Sequence, residues 1–448
     1  MLLTARYVLP VATPHIENGA VLIEGDRIVE IGDFEHLHAL HPDEPVRDFG
    51  LAALMPGFID LHTHLEYTAM RGLVDDLPYS EWKLQVMQKE RHFSSQDWDD
   101  SALLGSLEAL QSGITTIADI TRTGASGHAA QATGLRAIIY REVATMEKSH
   151  VASVMDRASA DIAAWRETSD TRRVTIGIAP HAPYSCHPEL FRRVAAYASD
   201  GTPVAIHLAG SKEEYDFVKY GSSMLATDVR DTYDADAPGW LPTGVSPVSY
   251  VLQWGLFDVP NILGVHCTQV DGADIEVLAK HDVAIAHCPR CEAKLGMGVA
   301  PLEKFMRAGV RVGLGTDSPA ASNSMDVFEE MRIGLLVQRA VLGEEHFMNA
   351  RQFVKMATLD AARALKMESS IGSLEPGKRA DIIAVDLSKS HQIPTHHPYS
   401  TLVHTANQES VLATMIAGTF VYENREWSGL DHERIYARAE EMRMQLRG

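Results

Sequence analysis

The sequence predicts an α/β protein: a (β/α)8 TIM-like barrel with a small β-sandwich domain built from both chain termini. Three observations predict it. Short apolar runs alternate with amphipathic stretches through the middle of the chain, β-rich segments cluster near both ends, and ionisable residues stand where the apolar runs finish. Strands alternating with helices form a parallel sheet, and about eight such units over roughly 300 residues close into a barrel more readily than they open into a doubly wound sheet.

The first β signal is residues 19–31, two β-rich runs around Gly25-Asp26-Arg27, which reads as a hairpin. Its counterparts near the other end are Arg379–Leu387 and Val411–Tyr422, preceded by turn chemistry in Gly372–Lys378. Residues 1–54 and 372–430 are therefore expected to form one discontinuous β domain, 55–371 the barrel, and 431–448 a C-terminal helix. Within the barrel the expected strands centre on Ile114–Ile117, Ala137–Tyr140, Val174–Ile178, Val204–His207, Ile262–Val265, Val283–Ala286 and Val310–Leu314. Helical spacing marks Ser101–Ser112, Pro188–Ala198 and Val327–Ala340. No Gly-x-Gly-x-x-Gly follows a strand, which argues against a dinucleotide fold. The stretch Tyr220–Pro247, rich in Gly, Asp, Ser, Thr and Pro, reads as a lid or a solvated excursion.

Composition narrows the function classes. In 448 residues, 40 Lys and Arg face 60 Asp and Glu, a formal charge of −20. Such a surface repels phosphate backbones and anionic lipid, so nucleic-acid and membrane partners are not expected. No apolar run reaches the roughly 18–20 residues that span a bilayer. Arg6, Pro10 and Pro14 interrupt any leader pattern, so the cytoplasm is the expected compartment. Four cysteines are too few for a disulfide scaffold. Cys288-Pro-Arg-Cys291 has no second CxxC to complete a structural zinc site, and reads as a strand end carrying two thiols.

The chemistry gathers at strand ends. His62-Thr-His64 follows the apolar run Ala53–Leu61; side chains two apart on a strand share a face, so both imidazoles enter one space. His207 follows Pro203–Ile206, His266 follows Ile262–Val265, and Asp317 follows Val312–Thr316. Each alone reads as a hydrogen-bonded core residue. Together, at the C-terminal strand ends of a parallel barrel, they read as an active site. Imidazoles with a carboxylate suit Zn²⁺, or Fe²⁺ as the alternative, and not Ca²⁺ or Mg²⁺.

These residues resemble the amidohydrolase superfamily nearly end to end, through Met55–His64, the His207 and His266 strand ends, Gly313–Ser318, Asn323–Met331 and Gly372–Asp381. The branch is similar to the adenosine, S-adenosylhomocysteine and aminodeoxyfutalosine deaminases and the triazine hydrolases. Glu66, Leu77–Trp82, Ser246–Tyr250 and His287–Arg290 look closest to the aminodeoxyfutalosine deaminases. The resemblance implies one divalent ion on His62, His64, His207 and Asp317, lowering the pKa of a water toward ~7. It implies Asp317 as proton acceptor and His266 as the group that orients the water or stabilises negative charge. His181 matches a substrate-contacting histidine of the family; Trp82, Glu66 and Arg290 are further expected substrate contacts, with Trp82 stacking on a ring or closing the pocket, or else a plain core tryptophan.

The implied activity is hydrolytic deamination of an aminated purine-type heterocycle, such as aminodeoxyfutalosine or another adenosine derivative, with release of ammonia. Dechlorination or cyclic amide hydrolysis on the same scaffold is the alternative, and a non-catalytic binder with the same fold a third. A small-molecule substrate is expected; a homo-oligomer is compatible with a barrel of this size, although no sequence feature sets its state. One position departs from the pattern. Deaminases of this group carry a glutamate three residues after the third histidine, and here that residue is Gly210. Glu66 or Glu213 could take its role, the substrate could need no such acid, or the chain is a weak relative. Cys291-Glu-Ala-Lys294 departs as well, since the group often has Ser-Asn after Cys-Pro-Arg.

Overall fold

In the computed structural model, which describes residues 1–226, 240–344 and 346–447, both chain ends contribute to one sheet. Its N-terminal strands are β1 (Leu2–Val8), β2 (Ile16–Glu24), β3 (Arg27–Asp33), β4 (Val46–Asp48) and β5 (Ala52–Pro56). β2 and β3 turn at Gly25, whose φ of 58° is left-handed backbone that glycine adopts without a Cβ penalty. The expected hairpin is present.

The chain then enters eight strands, each parallel to the next in sequence: β6 (Phe58–Thr63), β7 (Ile114–Thr121), β8 (Arg136–Val143), β9 (Val174–Pro180), β10 (Val204–Leu208), β11 (Ile262–His266), β12 (Ala284–His287) and β13 (Val312–Leu314). All eight residues of β7 are buried, as expected for parallel strands covered on both faces. β13 returns to β6 through polar stitching. Asp317 N–H donates to the His62 carbonyl at 2.8 Å, and Asp60 accepts from Thr316 N–H at 2.9 Å and Thr316 Oγ1 at 2.6 Å. Burial pushes the Asp60 carboxyl up to about 7 against those hydrogen bonds.

The C-terminal strands β14 (Ile382–Asp386), β15 (Val411–Ile416), β16 (Thr419–Glu423) and β17 (Glu426–Trp427) complete a mixed sheet of nine strands, in the order β17-β16-β15-β14-β5-β1-β2-β3 with β4 on β1. The two termini meet where β5 runs antiparallel to β14, from Ala52–Asp386 to Pro56–Ile382. Leu3, Val21, Leu54, Ile382 and Met415 share one buried apolar cluster across that join. Gly57 links the sheet to the barrel. A Cβ there would lie 2.1 Å from Thr115 Cγ2, so the close approach of the two units requires glycine.

The helix expected from Ser101 begins at Ser95 and ends at Gln111. Ser94 and Asp97 form a capping box ahead of the apolar periodicity, which starts the helix earlier than the apolar pattern indicates. The terminal helix His432–Arg447 ties back to it through Arg438, which pairs with Asp97 and Asp100 at 2.5 and 2.7 Å. Of the stretch Tyr220–Pro247, residues 227–239 lie outside the described residues. No helix among the described residues is long and apolar enough to cross a membrane.

Candidate active site

The barrel brings His62, His64, His207, His266 and Asp317 to one mouth. His207 on β10 stands beside Val265 on β11, and His266 pairs in register with Leu208, so adjacent strands present the two imidazoles. The His62 ring lies 4.7 Å from His64 and 5.0 Å from His207, centroid to centroid. Asp317 Oδ1 is 3.5 Å from His62 Nε2 and 3.9 Å from His64 Nε2.

Backbone carbonyls set the tautomers. His64 Nδ1 donates to Ile120 O at 2.8 Å and His207 Nδ1 to His181 O at 2.9 Å, because a carbonyl only accepts. Their Nε2 atoms therefore carry lone pairs into the cluster. His62 Nε2 is buried with no hydrogen-bond partner among the described residues, an arrangement that costs free energy unless something electrophilic fills the space. Burial, followed by the charge of His62, pushes the His64 pKa down to about 3; burial also holds His62 and His207 below their ordinary values. Burial opposes ionisation of Asp317, but the neighbouring imidazoles of His62, His266 and His64 outweigh it and keep the carboxyl well below its usual range.

The result is a set of neutral imidazoles and an ionised carboxylate. Donor atoms of His62, His64 and His207 lie within 4.8 Å of one another, as do those of His62, His266 and Asp317. Neutral nitrogen donors held by backbone carbonyls, one anionic oxygen and an orphaned buried nitrogen fit a divalent cation. His266 (φ 74°), Cys267 (φ 53°) and Asp317 (φ 57°) take left-handed backbone at roughly 1–2 kcal/mol per residue.

A cavity opens above the cluster. His181 and Trp82 line it, with Tyr79, Lys83 and Val86 from the helix Tyr79–Lys89 as a roof. The roof thus comes from residues after β6, and none of the described residues of Tyr220–Pro247 lines the cavity. Sequence reading missed Tyr79, Lys83, Arg122 and Glu142 on its wall, since nothing in their spacing marks them.

Two expected contacts change role. Glu66 lines the cavity, but Thr121 Oγ1 and Thr123 Oγ1 donate to its Oε2 at 2.6 Å each, and Arg122 N–H to its Oε1 at 3.0 Å. Those bonds spend the carboxylate on holding the β7 end. Arg290 does not line the cavity at all. Its guanidinium pairs with Glu329 at 2.7 Å and the fully buried Glu330 at 3.0 Å, so the expected substrate contact is a structural ion pair. Glu213 is likewise outside the cavity lining. Glu214 is buried beneath the Gly210 loop, accepting from Ala209 N–H at 2.8 Å and Gly210 N–H at 2.9 Å.

The amidohydrolase family profile matches residues 53–421. The chain belongs to the amidohydrolase family. This amidohydrolase is a hydrolase acting on carbon–nitrogen bonds. A profile for the bacterial imidazolonepropionase-like composite domain also matches residues 19–43, inside the terminal sheet. The 5-methylthioadenosine/S-adenosylhomocysteine deaminase of Symbiobacterium thermophilum is 33% identical over 96% of this chain and 94% of its own length. The enzyme of that name from Pelotomaculum thermopropionicum is 32% identical over 96% and 94%. Among solved structures, an adenosine deaminase from Xanthomonas campestris with bound zinc is 28% identical, with a TM-score of 0.87 over 100% of this chain and 98% of its own. Atrazine chlorohydrolase from Arthrobacter aurescens, complexed with zinc, shares the fold at 24% identity, with a TM-score of 0.84 over 98% and 99%.

Proposed function

We propose that this amidohydrolase is a zinc-dependent deaminase that hydrolyses the exocyclic amine of an adenine-type ring and releases ammonia. The observation that carries the reading is the convergence of three neutral imidazoles and ionised Asp317 on the floor of a cavity roofed by Tyr79 and Trp82. Aromatic side chains on its wall suit a flat heterocycle. Relatives named as deaminases of 5-methylthioadenosine and S-adenosylhomocysteine, similar over nearly the whole chain, support an adenosine derivative as substrate.

His62, His64, His207 and Asp317 would hold the ion, and three imidazole nitrogens with one carboxylate oxygen suit zinc. When bound, a divalent ion lowers the pKa of an adjacent water and polarises the group under attack. Asp317 accepts the water's proton: His62 and His266 keep it ionised, and Cys291 Sγ donates to its Oδ2 at 2.8 Å. His266, with Nε2 at 3.9 Å from that oxygen, faces the same water and the negative charge that builds on the ring. His181 and Trp82 hold the ring against the floor.

The test is ammonia release by zinc-loaded protein from 5′-methylthioadenosine, S-adenosylhomocysteine, adenosine and aminodeoxyfutalosine, with chloride release from atrazine measured in parallel. Ammonia from at least one of the nucleosides is expected. Chloride release without ammonia would replace the reading by dechlorination.

A further inference from the structure

Glu292 is a carboxylate buried to 1% of its surface, outside the cavity lining and behind His266. An isolated charge at that depth costs several kcal/mol. Among the described residues no lysine or arginine pairs with it. Its neighbours are Cys288 N–H, donating to Oε1 at 2.9 Å, His287 Nδ1 at 2.9 Å from Oε2, and His266 Nδ1 at 3.5 Å from Oε1. The two imidazole contacts are close without being aligned hydrogen bonds, so charge holds the three groups together as much as N–H direction does. Burial raises the carboxyl pKa, but the imidazoles of His287 and His266 outweigh it and keep the group ionised.

An ionised carboxylate accepts and never donates. A lone pair on either Nδ1 would face an anion at this range, so both rings turn an N–H toward Glu292. The consequence for His266 is specific. Its Nδ1 is committed to the hidden carboxylate, and Nε2 is the atom left to meet the cavity and Asp317. Two other carboxylates near this mouth are committed elsewhere: Glu66 to Thr121, Thr123 and Arg122, and Glu214 to the Gly210 loop.

We propose that Glu292 is a positioning residue of the hydrolytic site, holding the Nδ1–H of His266 so that Nε2 is presented to the reacting water, with His287 bracing the carboxylate from its far side. This rests on the deaminase reading for its kinetic consequence and not for the contact itself. His266, Cys288 and Glu292 also have donor atoms within 4.8 Å of one another, which gives a competing role as a second metal site.

The experiment compares zinc-loaded wild type with Glu292→Gln and Glu292→Asp. Gln keeps the size and loses the charge; Asp keeps the charge on a shorter stem. With whichever nucleoside the wild type deaminates, Glu292→Gln is expected to lower kcat about 10–100-fold, the usual cost of losing an orienting partner, with KM within about twofold. Glu292→Asp should recover at least about threefold of that loss, because the anion at Nδ1 is restored. In ¹⁵N-histidine-labelled protein, the Nδ1–H signal lost in His266→Gln should move in Glu292→Gln, a change that simple destabilisation would not produce. Zinc content should be one equivalent throughout. Wild-type kcat in Glu292→Gln, an unmoved His266 signal, or a second zinc equivalent lost in that variant would each overturn the proposal. If the wild type deaminates no nucleoside, the functional reading fails, and the histidine signal alone still decides the contact.

Discussion

Arg136 and His62 are both buried polar residues on barrel strands, at opposite ends of the barrel, and their surroundings differ. At the closed end, Arg136 opens β8 and pairs with Asp381 through Nε at 3.0 Å and Nη2 at 2.9 Å. Asp381 also accepts Ala417 N–H at 2.8 Å, and Arg136 Nη1 donates to Arg172 O at 3.1 Å. That cluster is satisfied, and it ties the barrel to the terminal sheet. At the mouth, His62 Nε2 is buried with no hydrogen-bond partner among the described residues. A satisfied polar cluster contributes to a specific fold; an unsatisfied one is a standing cost kept for a ligand. The same barrel therefore spends buried polarity on attachment at one end and on chemistry at the other.

The comparison predicts that mouth substitutions cost activity and closed-end substitutions cost stability. The largest effect belongs to Asp317→Asn, which removes an anionic donor and the proton acceptor together. Ammonia release should fall roughly 10²–10⁴-fold with the melting temperature of the metal-free protein unchanged or raised, as read by kinetics and calorimetry. Loss of folding in place of loss of turnover would break the comparison.

Next comes Arg136→Met, which leaves Asp381 charged, buried and unpaired. Unfolding free energy should drop by about 3–5 kcal/mol in denaturant titration, while kcat of the remaining folded protein stays near wild type. Gly57→Ala should cost about 1–3 kcal/mol by the same measurement, since its Cβ falls 2.1 Å from Thr115 Cγ2. An unchanged denaturation midpoint in either variant would mean that the closed end is not the attachment described.

The smallest effect sharpens the mouth. A Cβ on Gly210 lies 3.1 Å from both His266 Cδ2 and the terminal methyl of Met297, so a longer side chain enters only if that methyl shifts. Gly210→Glu places a third carboxylate beside His266 and should raise deamination at least about tenfold, short of the roughly 10²–10⁴-fold usual for a general acid. No gain at intact metal content would remove position 210 from the proton route.

Strand ends were the most legible feature of this chain. His62, His64, His207, His266 and Asp317 could be singled out because apolar runs reveal parallel strands and each run stops on an ionisable residue. Period-two alternation put His62 and His64 on one face before any coordinates. Arg290 was misread because a motif position says nothing about where a long side chain goes, and Glu329 and Glu330 capture it from another helix. Glu292 stood out in the sequence only as a departure from a pattern.

The sequence by itself determined the barrel, the two-ended β domain and the inward ring of histidines, because hydrophobic periodicity and strand-end position are local properties. Only the tertiary structure decided which carboxylates are available. Whether Glu66, Glu213, Glu214 or Glu292 can act depends on donors that are up to 57 residues away in the chain, as Thr123 is from Glu66, and on burial that no local pattern encodes. Side-chain hydrogen bonding and desolvation act over a few ångströms of space, and the fold alone decides which residues share that space.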